Sequence, residues 1–485
     1  GDPGRRLPPS QTLRSWQVEP VTLDPGLVTD WHSGVVLEQL FSCLIRFGPN
    51  MEVLPEAASS WEILEGGHTY RFHLRQDGRW SDGTPVTARD FEYAWKRFLH
   101  PSRPRGPGPS FYNVRGARAY HHGEVSDPDR VAVRCADEYT LVVELEAPDP
   151  NFLHLTLYAI PVPRYQVEVF GDAWAEPGRL ISNGPFQVES WQRGESMLLV
   201  RNPHYAGLFE GNLQRVELSF AQPEAAMDAY EAGRLDVVGL DTLPSASMDR
   251  LRHQYPGEYL SVPDLSTYYL RYDLSRPPFH DRRVRRAFAL ATDRRRLADL
   301  VLGGHVFPAT GGQVPPGMAG HSPATALAYS PPEACQLLAE VGYPSGRGFP
   351  TVELLLPEGR EAIVKDLSDQ WLANLGVQVA GQVLPWASLL ARADGQPPHI
   401  LGMASAAHYP DPATFVGSAR RDEEQAAYAW QHADYDRLIT EATQATDKGQ
   451  RLELFLQLDR IVVEEAWLVP LWYGRRHLLL KPWVA

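Results

Sequence analysis

The chain has 485 residues, beyond the size at which a single hydrophobic core usually stops growing, so two or three domains are expected. Its 43% hydrophobic content excludes wholesale disorder, and its formal charge of -14 excludes a general nucleic-acid or anionic-membrane binder, which needs a net positive face. No run of about twenty apolar residues occurs, so nothing reads as a membrane-spanning helix. An acidic balance suits cationic or zwitterionic ligands, although surplus surface carboxylate also serves solubility alone. Cys43, Cys135 and Cys335 are far apart and odd in number. They fit neither a zinc cluster nor a disulfide scaffold and are read as three buried thiols, with a bridged pair left open.

The opening GDPGRRLPPSQ is polar and rich in Pro and Gly, and reads as a tether stub. An extended TLRSWQVEPVTLDP (12–25) follows, in which Pro20 and Pro25 flank a turn at Thr22, Leu23 and Asp24. That turn feeds a helix over GVVLEQLFSCLIRF (34–47), where apolar residues recur at helical spacing. The stretch Trp61 to Lys96 predicts a strand pair including TYRFHL, a turn at Asp77-Gly78, and then Ser81-Asp82-Gly83-Thr84-Pro85 before a helix. Thr87 caps that helix with Asp90 three residues on, and Phe91, Ala94 and Trp95 share its buried face. PSRPRGPGPS (101–110) is too rich in Pro and Gly for regular structure and is read as an exposed loop, whereas YTLVVELEAP (139–148) alternates as a strand. In SNGPFQVESW and LLVRNPHYAG, Gly184-Pro185 turns the chain into a strand and Asn202-Pro203 turns it out of the partner. LQRVELSF, PEAAMDAYEAG and RLDVVGL read as strand, helix and strand, with Gly233 at the stop; such a β-α-β unit implies parallel pairing.

From TYYLRYDLSRPPFHD (267–281) the neighbourhood changes. VRRAFALATDRRRLADLVL reads as one long helical region with Ala287, Phe288, Ala291 and Leu297 packed and Arg285, Arg286 and Arg294 to Arg296 solvated. A helix at SPPEACQLLAEVGYP, a strand at TVELLLP, a helix over EAIVKDLSDQWLANLGVQV and a strand at HILGMAS form a second α/β lobe. The helix RLELFLQLDRIVVEEA precedes WLVPLWYGRRHLLLKPWV, read as a strand that re-enters the first lobe. A lobe left and later rejoined requires at least two crossings.

The phrases at 61–96 and 181–205, with weaker ones at 267–294, resemble the extracytoplasmic solute-binding proteins of the oligopeptide, dipeptide and nickel class, which deliver ligand to ABC importers. The resemblance implies an α/β, periplasmic-binding-protein-like fold of type II, class C, with two main lobes, an extra subdomain and a cleft between lobes. It divides the chain into lobe I (12–53, 180–266 and 465–485), an extra subdomain or lobe II (54–179) and lobe III (267–464). It further implies a monomer working with a membrane permease, and an extracytoplasmic location, either periplasmic or as a lipoprotein anchored at the cell surface.

In that class ligand main chain pairs with protein main chain, so affinity is largely independent of side-chain identity. The resemblance puts Tyr268, Tyr269, Leu270 and Arg271, with Thr267, on the ligand segment; packing of both tyrosines on a central strand is the open alternative. Phe111 and Tyr112 fall near the class's cleft tyrosine, and Trp386 is a third aromatic candidate. In AAHYPDPATF (406–415), Tyr409 and Pro412 match the class, but His408 stands where the class carries the Asp that binds a peptide's α-amino group. A neutral imidazole cannot neutralise an ammonium, so Asp411 or another carboxylate takes that part, or the ligand is anchored otherwise. His408 as a metal ligand, suggested by the nickel carriers, has no second His or Cys at ligand spacing.

No GxSxG, HExxH, CxxC, phosphate loop or dinucleotide fingerprint occurs, so a carrier is expected rather than a hydrolase, with no cofactor and no metal. The expected ligand is an oligopeptide, with basic residues favoured, and arginine-like small molecules or nickel chelates are the alternatives. Residue usage suggests an actinomycete, where paralogues of this class sit in antibiotic gene clusters.

Overall fold

The computed structural model describes residues 11–48, 51–103, 107–207, 211–240, 245–323, 325–407, 409–417, 430–445 and 447–484. The chain forms two compact units: Gly1–Thr242, Tyr255–Leu260 and Leu478–Ala485 make the first, Leu243–Gln254 and Ser261–His477 the second.

In the first unit the strands are β1 (Thr12–Trp16), β2 (Ile45–Phe47), β3 (Val53–Pro55), β4 (Ala58–Leu64), β5 (Thr69–Leu74), β6 (Val133–Asp137), β7 (Thr140–Glu144), β8 (Phe186–Gln192), β9 (Ser196–Arg201), β10 (Arg215–Ser219) and β11 (Val237–Gly239). β4, β5, β7 and β6 make a four-stranded antiparallel sheet, and β2 pairs with β3. A second sheet runs β11-β1-β10-β9-β8. The β10-helix-β11 unit is parallel as expected, but β1 lies between its two strands and pairs parallel with both. A crossover helix (Pro223–Glu231) gives the chain the length to skip over one strand.

The helix Ala88–Phe98 opens on the foreseen box: the Thr87 amide and hydroxyl both donate to the Asp90 carboxylate, at 2.8 and 3.2 Å. Phe91, Ala94 and Trp95 are buried. The turn at Thr22-Leu23-Asp24 is held by the same helix, because Arg97 grips Asp24 with both terminal nitrogens (2.7 and 2.5 Å) and Trp174 donates to the same carboxylate at 3.2 Å. The helix expected over 34–47 instead spans Trp31–Leu40. Its end is claimed by distant backbone: Gly184 N–H donates to Leu40 at 2.8 Å, and the Asn183 side chain bonds both the amide and the carbonyl of Ser42 at 3.0 Å. The chain then turns into β2. The loop at 101–110 is not wholly exposed, since Gly108–Phe111 form a 3-10 turn with Phe111 in the core.

The second unit contains β12 (Tyr259–Tyr272), β13 (Phe307–Pro308), β14 (Val352–Pro357), β15 (Val379–Leu384), β16 (Ile400–Ala406) and β17 (Leu468–Leu480), of which β12 begins in the first unit and β17 ends there, its last residues pairing with β11. Its sheet runs β15-β14-β16-β12-β17, with β14 parallel to both β15 and β16 and β16 antiparallel to β12. Three expectations fail here. The long helix expected over 284–302 breaks: one helix spans Arg282–Leu290, and a new turn starts where Asp293 caps the amides of Arg295 and Arg296. Arg285 and Arg294 are buried rather than solvated, because each serves as a spoke to carbonyls. Arg285 donates to Phe279, His280 and Glu465 carbonyl oxygens, and Arg294 to those of Pro470 (2.6 Å) and Leu327 (2.9 Å). The helix expected through residue 379 ends at Leu375, where Gly376 takes φ 70°, and the next residues become the unforeseen β15.

All three cysteines are free and half-buried. The Cys43 and Cys335 thiols donate to the carbonyls of Leu157 (3.0 Å) and Asn374 (2.9 Å). Burial, then the hydrogen bond to Glu92, pushes Cys135 up to about 12, so the thiol stays protonated and inert at neutral pH. No described helix is long and apolar enough to cross a membrane.

Candidate functional site

The candidate ligand residues of the second unit start from the pleat of β12. Alternation sends Leu270 and Tyr272 to one face, where they join a core with Phe288, Trp371 and Trp472, and sends Tyr269 to the other, among Phe415, Tyr435 and Trp467. Tyr268 belongs to the first face but lies at the margin of that core and stays half-buried. Its ring stacks on Trp472 of β17, with centroids 4.7 Å apart and planes at 15°. Arg360, which precedes the helix Glu361–Leu375, places its guanidinium carbon 5.4 Å from the Tyr268 ring centroid and 5.9 Å from that of Trp472. Among the described residues this guanidinium has no hydrogen-bond or ion-pair partner; its own neighbour Glu361 accepts instead from the Gly359 amide at 3.3 Å. A cation beside two stacked aromatic rings, with no partner for its N–H donors among the described residues, can donate to an anion.

The other sequence-derived candidates separate into packing and accessible groups. Leu270 is fully buried, and Phe111 lies against Trp95 and Phe98 at centroid distances of 4.9 and 5.1 Å, so both are core residues. Tyr269 is buried and its hydroxyl accepts from Ser405 at 3.3 Å. Arg271 is likewise buried. Tyr112 is half-buried in the first unit beside His121 and His122, with Arg118 5.8 Å over its ring. Trp386 heads the helix Trp386–Gly395 and is 53% exposed, an unusual setting for an indole that packing alone would have covered.

The loop after β16 carries the remaining three. His408 lies outside the described residues. The Tyr409 carbonyl accepts from the Asp411 amide at 2.7 Å. Asp411 is buried and committed: both terminal nitrogens of Arg451 donate to it, one at 2.9 Å, and it caps the following turn through the Ala413 amide, also at 2.9 Å. A carboxylate so engaged serves to fasten this loop to the helix Lys448–Glu464, and taking up a ligand ammonium would cost it that role. Arg360 and Trp472 were not singled out from sequence. The only signal was positional, a lone Arg in the turn after an apolar strand and one of several aromatics in WLVPLWYG.

In the first unit, a shallow pocket next to Gly78 and Arg79 is lined by Ser42, Glu56, Asn183 and Tyr205. The Ser42 and Tyr205 hydroxyls both donate to one Glu56 oxygen, at 3.0 and 2.6 Å, and the Asn183 side chain bonds the Ser42 backbone. Among the described residues no three His, Cys, Asp or Glu side chains converge as metal ligands would.

The family model of bacterial extracellular solute-binding proteins, family 5 Middle, matches residues 52–426. The chain is 33% identical over 494 residues to the probable deoxycholate-binding periplasmic protein YgiS of Escherichia coli, covering 99% of this chain and 91% of that one. It is 28% identical over 511 residues to the periplasmic oligopeptide-binding protein OppA of the same organism, covering 99% and 90%. Among solved structures, the unliganded open form of the murein tripeptide-binding protein MppA superposes with a TM-score of 0.84 at 28% identity, covering 98% of this chain and 94% of that one. Haemophilus influenzae OppA in complex with RPPGFSPFR gives 0.76 at 26% identity, covering 98% and 96%. With two α/β lobes of the type II periplasmic-binding class and a family match over most of its length, this chain belongs to the bacterial extracellular solute-binding proteins of family 5.

Proposed function

We propose that this protein captures a peptide-like solute outside the cytoplasm and hands it unchanged to the permease of an ABC importer. The observation that supports this most is the near full-length similarity to binding proteins named for oligopeptides and a murein tripeptide. In this reading residues 12–53, 180–266 and 465–485 act as the first lobe, 54–179 as an extra subdomain and 267–464 as the other main lobe. The protein works as a monomer, and ligand selects a closed form by binding it better than the open one. Tyr268, Trp386, Tyr409 and Tyr112 are its proposed ligand contacts, supplying rigid aromatic area at low entropic cost. Import is favoured over a biosynthetic role, since the similar proteins are named as periplasmic binding proteins.

A preference for basic peptides or arginine-like ligands has little to rest on, because Asp411 is bound to Arg451 and the aromatic pair already carries a cation. A second reading is favoured by one observation: the 33% identical relative is named for deoxycholate, an acidic amphiphile whose apolar steroid face suits aromatic contact. Mass spectrometry of the solute that co-purifies, followed by calorimetry with that compound, distinguishes the readings. A peptide mass with micromolar or tighter binding supports the first, a steroid acid the second, and uptake of neither class by ligand-stripped protein overturns both.

A further inference from the structure

Whatever solute is carried, we propose that the second unit holds a site for a single halide-sized anion, with the buried guanidinium of Arg294 as its donor. Three observations carry this. First, Arg294 is a buried cation without a counter-charge. It is 7% exposed, and its Nε and Nη1 donate to the carbonyl oxygens of Pro470 (2.6 Å) and Leu327 (2.9 Å). Among the described residues no carboxylate lies within ion-pair distance of it, and Nη2 makes no hydrogen bond. The groups close enough to act on its charge are Tyr272, Tyr473 and Asp293. The Tyr473 hydroxyl is spent between the Gly311 amide and the Gly312 carbonyl, at 3.1 and 2.8 Å, and the Asp293 carboxylate caps the amides of Arg295 and Arg296. Second, a neighbouring arginine shows how this fold compensates such a charge elsewhere: Arg285, equally bound to carbonyls and equally buried, has the Glu465 carboxylate 3.7 Å away. Third, Arg294 lines a cavity of about 10 Å³ whose walls include Ala289, Leu327, Val463 and Leu468.

Carbonyl dipoles and a water satisfy N–H groups but leave the net charge of a guanidinium uncompensated, and an unpaired charge is costly to hold in an apolar interior. Desolvation accordingly brings Arg294 down to about 10, against the opposing pull of Tyr272, Tyr473 and Asp293. The size of the cavity selects the guest. It has room for one water-sized particle, so carboxylates, phosphate and sulfate are excluded, while chloride or bromide fits as a single atom. Its walls carry no acidic side chain to repel an anion. Bound there, the ion neutralises the guanidinium that ties Pro470 of β17 and Leu327 to the turn at Asp293, and so stabilises the second unit.

The test uses the full chain, stripped of solute and exchanged into halide-free buffer at neutral pH. Crystals soaked in sodium bromide are expected to show an anomalous difference peak within hydrogen-bond reach of Arg294 Nη2. In solution, the melting temperature is expected to rise by about 2 °C or more in sodium chloride or bromide over sodium gluconate at the same ionic strength. Gluconate is too large for the cavity and serves as the inert salt. Arg294→Gln removes the charge, and Ala289→Val fills the cavity while keeping the guanidinium; both are expected to lose the halide-dependent rise and the bromide peak. A peak beside Arg294 together with a rise that the variants lose supports the site, and where neither variant folds, the peak and the rise in the unaltered chain decide alone. Water alone beside Arg294 in the soaked crystals, equal melting temperatures in bromide and gluconate, or a rise that survives in Arg294→Gln overturns the proposal.

Discussion

Asp24 shows how a motif residue acts through distant partners. It is buried at 1% exposure and holds Arg97, whose own side chain is 8% exposed, so a turn near the start of the chain is tied to the helix Ala88–Phe98. Breaking a buried pair by removing one member leaves the other charge uncompensated, typically at 3–5 kcal/mol. Asp172, 3.1 Å from Arg97, softens that cost. Asp24→Ala is therefore expected to lose about 3 kcal/mol in urea unfolding, and Asp172→Ala, with its carboxylate largely exposed, less than about 1 kcal/mol. Asp459 makes the opposite case. Among the described residues it has no ion-pair partner; it is 1% exposed and accepts the Gln313 amide at 2.7 Å, while its second oxygen has no hydrogen-bond partner among them. Burial pushes it up to about 7, against hydrogen bonds from the Gln313 and Val314 amides that pull it down. Because the folded value exceeds the unfolded value near 3.9, the native state holds the proton more tightly. Stability from this group is then full below about pH 4 and is lost as pH rises through about 7. Asp459→Asn is expected to flatten the fall in melting temperature between pH 5 and 8; an unchanged slope would show that the group stays ionised throughout.

Strands and helices here begin and end where distant backbone claims them. The entry to β8 passes so close to the end of the helix Trp31–Leu40 that a Cβ on Gly184 would lie 2.5 Å from the Leu40 carbonyl carbon and 2.6 Å from the Phe41 nitrogen. Neither neighbour is a flexible tip, so the backbone would have to part and the Gly184 N–H bond to Leu40 would lengthen. Gly184→Ala is expected to cost about 2–3 kcal/mol, read as a lower urea midpoint. Ala at Gly239, where a Cβ meets nothing, is expected to cost far less. That contrast also explains what could be read in advance. The helix at Ala88–Phe98, the β8-β9 pair and the β10-helix-β11 unit were legible because capping residues, turn dipeptides and period sit together in a short window. The break at Asp293, the early stop at Leu40 and the burial of Arg285 and Arg294 were not, because each involves a group far away in the chain: the Gln370 side chain on the Asp293 amide, the Gly184 N–H on Leu40, and the carbonyls of Glu465 and Pro470 on the two arginines. At the site, the aromatics of β12 were legible as a segment, but which of them packs depends on the pleat, and the pairing of Tyr268 with Trp472 and Arg360 joins three separate stretches of chain.

Neither unit is a continuous piece of sequence: the first is completed by Tyr255–Leu260 and Leu478–Ala485, so its integrity depends on residues far along the chain from its other parts. Leu480, Leu479 and Leu478 pair antiparallel with Val237, Val238 and Gly239 along β11. Leu479 is fully buried there. Beyond the strand, the Lys481 ammonium lies 3.9 Å from the Tyr230 ring centroid and 3.0 Å from the Glu258 carboxylate, and the Tyr230 hydroxyl donates to that same carboxylate at 2.5 Å. Trp483 donates at 3.0 Å to Asp236, which is itself gripped by Arg14 of β1. The tail thus closes a loop of contacts from β1 through β11 to the crossover helix, all inside the first unit. A chain ending at His477 would keep every residue of the second unit yet expose the β11 edge and remove the Lys481 and Trp483 contacts with Glu258 and Asp236. Loss of Leu479 alone corresponds to about 2–5 kcal/mol for a large aliphatic side chain removed from a core. Hydrogen exchange of such a truncated chain is expected to show lost protection in β1 and β11, with amides of β14 and β16 unchanged. Loss of protection across both sets would mean that the two units fold as one cooperative body, and retention in β11 would mean that the tail is dispensable.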